Sequence, residues 1–160
     1  MKRRRHTAFS LVEVVLALGI VAFTISAVLG VLSVGLSIEK EAAQESQAAN
    51  IASAVIADLR SELATQGGAP ISKRYAIALP APEETESGKA FFTNADFNPR
   101  TSATGSLYRV TVTARRAASA GPVFVHIHVC WPALADPDPA LAPTRFSACL
   151  ETLEVVDSRL

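Results

Sequence analysis

The sequence predicts an α+β fold, one long N-terminal α-helix packed on a C-terminal antiparallel β-sheet, and three observations predict it. The stretch from Val14 to Ile38 contains no Asp, Glu, Lys, Arg, His or Pro. Beyond it, Ile51, Val55, Leu59 and Leu63 recur every four positions, and Ala48, Ala52 and Ile56 widen the stripe, which is the spacing of an amphipathic helix. After Pro70 the composition turns to β-branched and aromatic runs separated by Pro, Gly and Ser, the pattern of strands and turns. A helix with one apolar stripe and a sheet with one apolar face each need a partner, and packing one on the other satisfies both.

The helix begins in a segment with a positively charged front, Lys2-Arg3-Arg4-Arg5. The twenty-five residues from Val14 to Ile38 span roughly 37 Å as a helix, enough to cross a hydrocarbon core of about 30 Å. The basic cluster places the N-terminus in the cytoplasm and the remainder across the membrane. Glu13 stands at the start of the apolar run rather than outside it. A lone carboxylate in lipid is expensive, so its presence marks function; the competing reading is a Glu that snorkels to the water–lipid boundary. An ordinary secretory signal has an apolar core of about 7–15 residues and then a small-x-small cleavage site. This run is longer and ends without a clear site of that kind. A plain single-span anchor fits the length but gives no reason for Glu13. A third reading places processing between Ala8 and Phe9 and keeps the whole helix.

The helical pattern continues through Glu39-Lys40-Glu41 and the amphipathic stretch 39–66, with Gly67-Gly68 as its C-terminal stop and Pro70 beyond. Continuous from Phe9, it would run about 58 residues and roughly 85 Å. The head, 67–160, then holds strand candidates at Lys73–Leu79, Ala90–Thr93, Leu107–Arg115, Val123–Trp131 and Phe146–Val156. Pro80–Gly88, with Glu83, Glu84 and Glu86, reads as a solvated loop. In the strongest strand, Tyr108, Val110, Val112 and Ala114 face inward, while Arg109, Thr111, Thr113 and Arg115 form a wet face.

The formal net charge is zero, yet four of the fifteen basic residues fall in the first five positions. Residues 9–160 therefore carry eleven basic against fifteen acidic residues, a net of −4, which does not suit a nucleic-acid binder. Cys130 and Cys149 are both expected on strands, on the face opposite the apolar stripe; a bridge between them, or two unpaired thiols, are the alternatives. A bridge would contribute roughly 3 kcal/mol by loop closure. His126, His128 and Cys130 share one strand face, but a metal site needs a third or fourth ligand and supporting partners, so exposed strand residues are expected there and no metal. Asp136 and Asp138 fall short of the six to eight oxygens that calcium takes, by roughly four or more. Neither a Gly-rich phosphate loop nor a G-x-S-x-G nucleophile motif is present. Neither a cofactor nor catalysis by this chain is expected.

The string Ala8-Phe9-Ser10-Leu11-Val12-Glu13-Val14-Val15-Leu16-Ala17-Leu18 resembles the class III signal of type IV pilins and type II secretion pseudopilins. That signal is a short basic leader, a small residue, then Phe-Thr/Ser-Leu-Leu/Ile/Val-Glu and about twenty apolar residues. The match covers residues 2 to about 36. It differs in carrying Ala8 where Gly is usual. The resemblance implies cleavage after Ala8 by prepilin peptidase and N-methylation of Phe9. It also implies a role for Glu13 in setting assembly register against a neighbouring subunit's amino terminus, and partners in other pilin subunits, an inner-membrane assembly platform and the bilayer. Many pilins close a C-terminal loop by a disulfide, which the resemblance extends to Cys130 and Cys149. Within the group the motif looks closer to minor pilins and minor pseudopilins; more narrowly, the leader and size resemble the pilin-like cassette protein B family of the Verru_Chthon type. The organisation implied is a leader at 1–8, a membrane or filament-core half at 9–38, an amphipathic half at 39–66 and a head at 67–160. The rival from another class is a membrane-anchored periplasmic binding or enzymatic domain.

Overall fold

The computed structural model describes residues 10–65, 71–81, 84–117, 121–135, 137–138, 146 and 148–156, and side chains only up to residue 62 within the helix. The fold is α+β: helix α1 (Leu11–Thr65), strands β1 (Glu86–Thr93), β2 (Tyr108–Arg116), β3 (Val123–Trp131) and β4 (Ala148–Val156), with a short 3-10 turn at Ala133–Ala135. The chain falls into two compact units, Met1–Ala43 and Gln44–Leu160, described separately.

In the first unit every residue from Ser10 to Ala43 is exposed. The large apolar side chains from Leu11 to Ile38 are each about half exposed or more, with Leu11 at 82% and Phe23 at 77%. A helix this long and apolar meets the length and composition needed to cross a membrane.

In the second unit the remaining turns of α1 lie on a four-stranded antiparallel meander of order β1-β2-β3-β4. Ala48, Ile51, Ala52, Val55, Ile56 and Leu59 are buried, as their spacing requires. They join Val110, Val112, Val125, Ile127 and Val129 in one core. Burial of each large aliphatic side chain contributes about 1.5–3 kcal/mol before ordering entropy is counted. Leu63 and the Gly67-Gly68 stop lie outside the described side chains and residues. Polar contacts at the rim are smaller in scale. Arg60 meets Glu154 at 3.0 Å with the arginine side chain 58% exposed, a pair worth less than about 1 kcal/mol. The buried Tyr108 hydroxyl donates to the Gln44 carbonyl at 3.2 Å.

The structure corrects three sequence readings. Lys73–Leu79 is not a strand: residues 73–75 form a turn, leaving only an isolated Ile71–Ala78 bridge. Ser72 explains this, because its hydroxyl is held by Asp58 of α1 and accepts the Tyr75 N–H at 2.9 Å. Local side-chain bonds of this kind draw the backbone away from a ladder. Second, β1 begins at Glu86, inside the stretch read as a loop. Its acidity is explained across the ladder, where Glu86 pairs with Arg115 at 3.2 Å. Third, Arg109 does not lie on a wet face. It is 1% exposed, covered at that end of the sheet by Phe146, whose ring centroid lies 5.8 Å from the guanidinium carbon. Beside Arg109 on the same face, Phe92 packs with Ala103 and Ala133 in a second, smaller core.

Candidate functional site

Two regions hold the candidate site residues. The first is the start of α1. Ala8 and Phe9 lie outside the described residues. Ser10 precedes the helix, its carbonyl accepting the N–H groups of Glu13 at 3.0 Å and Val14 at 3.2 Å. Glu13 therefore sits in the first described turn. The helix dipole stabilises a carboxylate there by about 0.3–1 kcal/mol. Burying an unpaired carboxylate costs several kcal/mol or more, so the dipole alone does not offset placement in an apolar bundle. Among the described residues no cation pairs with Glu13, and the helix around it is unpartnered over its whole circumference. Any partner for Glu13 within this apolar surface must therefore come from outside the described residues.

The second region is the solvent-side face of the sheet. Antiparallel register sets its side chains in rows across the strands. One row is Phe92, Arg109, Cys130 and Cys149; the next is Ala90, Thr111, His128 and Glu151; the third is Gly88, Thr113, His126 and Leu153. Cys130 and Cys149 are directly opposed and bonded as a disulfide. Of the two alternatives for these cysteines, the structure takes the bridge. Cys130 is buried, while Cys149 is exposed.

The bridge removes Cys130 from any metal ligation beside the histidines. Glu151 takes the place that the sequence reading gave to Cys130. It lies directly across from His128 and hydrogen-bonds His126 Nε2. His126 and His128 meet edge to face with ring centroids 4.2 Å apart. Partial burial, with the neighbouring His126 next and Glu151 opposing both, holds the His128 imidazole below its usual pKa. Sequence reasoning missed Glu151 because it lies 25 residues from His126; only strand register brings them together. Of the aspartate pair, Asp138 is exposed and Asp136 lies outside the described residues.

A further polar cluster sits in the loop between β1 and β2. Asp96 accepts from Arg100 at 2.8 Å and from the Asn98 N–H at 3.2 Å, and these bonds hold its carboxyl below the usual aspartate range.

The chain matches no family model, no curated protein and no solved structure. What decides the architecture is internal: one helix whose first turns are apolar and uncovered, and whose later turns form the spine of an antiparallel meander. The architecture is pilin-like. The long apolar helix is also compatible with a single-pass membrane anchor.

Proposed function

We propose that this chain is a structural pilin-like subunit, a minor pilin or pseudopilin, of a type IV pilus or type II secretion-like filament. Prepilin peptidase cuts it after Ala8 and methylates Phe9. One observation carries the reading: the apolar surface from Leu11 to Ile38 is uncovered around the helix, and Glu13 stands within that surface without a cation among the described residues. A bilayer covers the apolar side chains but does not neutralise the carboxylate. A bundle of identical or related helices does both, if the free amino terminus of one subunit lies beside Glu13 of the next. Such a pair forms in only one axial register, and the fixing of register is the best-attested use of buried polar pairs.

In this reading the precursor sits in the inner membrane with its N-terminus cytoplasmic and its head periplasmic. An assembly platform then extracts it into the filament, in the periplasm or at the cell surface. Residues 44–62 hold the head to the helix through the core, and the head meets partners with its outer sheet face and loops. Site-specific crosslinking between neighbouring helices tests the role of Glu13. The Glu13→Ala chain is expected to remain in the membrane and lose its crosslinks to other pilin-like subunits. Unchanged crosslinking would overturn the register role.

A further inference from the structure

The row structure of the outer sheet face brings three ligand-type atoms to one point. His126 and His128 alternate along β3 and so share a face. Glu151 of β4 lies directly across from His128 and diagonal to His126. His128 Nε2 stands 3.1 Å from His126 Nε2 and 3.8 Å from Glu151 Oε1, and that same oxygen hydrogen-bonds His126 Nε2. Around a tetrahedral zinc ion with bonds of about 2.0–2.2 Å, neighbouring ligand atoms stand roughly 3.3 Å apart. The His126–His128 and His128–Glu151 separations bracket that edge length, and the His126–Glu151 edge is closed by a hydrogen bond that an ion would replace. We propose that His126 Nε2, His128 Nε2 and Glu151 Oε1 bind one divalent transition-metal ion, zinc by ligand type, with the fourth position open to water or to a donor from a partner.

The surrounding chemistry supports a cation at this place. Two neutral imidazoles and one carboxylate give the mixed N/O donor set that zinc accepts, with one negative charge. Arg115, a cation on the same face, is paired with Glu86 at 3.2 Å. The ligands are also rigidly placed. β3 is paired on both sides, and the Cys130–Cys149 bridge lies one row from His128 and Glu151, which pins the register that sets carboxylate opposite imidazole. A hollow lined in part by Thr113, Arg115, Phe124 and Leu153 borders His126 and Glu151 and leaves room for a fourth ligand.

The inference is independent of filament assembly and is tested on the full chain in detergent micelles, with the disulfide intact and metal removed by chelator. Titration with Co²⁺ alone is expected to give one ion per chain with the intense visible bands of a four-coordinate site, displaced by Zn²⁺. His128→Asn and Glu151→Gln should each weaken Co²⁺ binding by more than the roughly 10–100-fold that follows loss of an outer partner. Unchanged Trp131 emission in the Glu151→Gln chain, whose side chain is 64% exposed, checks that the fold is retained. His6→Ala, which removes the only histidine besides the two on β3, should leave binding intact. Absence of stoichiometric Co²⁺ uptake would overturn the proposal. So would binding that survives both His128→Asn and Glu151→Gln, or that disappears in His6→Ala.

Discussion

Two leucines on the same helix should behave in opposite ways. Leu59 is fully buried against the sheet, whereas Leu29 is 59% exposed. Truncation of Leu59 to Ala removes three buried carbons, worth about 2.4 kcal/mol at roughly 0.8 kcal/mol each. The cavity left behind brings the cost to about 3–4 kcal/mol, within the range of about 2–5 for such sites. For a head of this size that should lower the melting temperature by on the order of 10–15 °C. The same change at Leu29 removes no contact within the described chain and should shift stability by less than about 0.5 kcal/mol. Trp131, only 7% exposed within the core, reports unfolding of the full chain in detergent micelles by fluorescence. If the helix serves assembly with one half and folding with the other, Leu29→Ala should instead reduce incorporation into filaments. Equal and small losses of head stability for both variants would refute the packing of the second half of α1 on the sheet.

Other consequences follow from single features of the head. Reduction of the Cys130–Cys149 bridge, which spans 19 positions, should lower the stability measured by denaturant titration by about 3 kcal/mol, and Cys149→Ser should match the reduced protein. Tyr75 is 1% exposed and its hydroxyl has no hydrogen-bond partner among the described residues, so Tyr75→Phe should raise the stability measured by denaturant titration by about 1 kcal/mol. Because Asp96 is held below its usual pKa by Arg100 first and then the Asn98 N–H, its contribution is present above the unfolded value and is lost as pH falls through it and below. The difference in denaturation midpoint between the wild type and Asp96→Asn should therefore be constant above pH ~5 and shrink below pH ~4.

The elements that were legible in the sequence are those whose burial is periodic. The stripe from Ala48 to Leu59 names the helix face that meets the sheet. The alternation in Val123–Trp131 gives β3 with its bounds, because β3 is paired on both sides and buries Val123, Val125, Ile127, Val129 and Trp131 in the core. Sequence reasoning fails where a side chain's role is set by a residue far along the chain. Ser72 makes a turn rather than a strand because Asp58 of the helix holds it. Arg109 is buried because Phe146, distant in sequence, lies over it. Glu86 belongs to a strand because Arg115 stands across the ladder. The candidate sites divide in the same way. Glu13 is conspicuous as a lone charge beside an apolar run, whereas Glu151 gains its meaning only from the β3–β4 register.

The central claim is that the helix is kept whole after processing at Ala8–Phe9 and used for assembly. Intact-mass and N-terminal peptide spectrometry test it most directly, on chain recovered from cells with active or inactivated prepilin peptidase. The account predicts a chain that begins at Phe9 and carries one extra methyl group when the peptidase is active, and an uncut chain when it is not. A chain that still begins at Met1 beside active peptidase, or one cut after the apolar run, would contradict it.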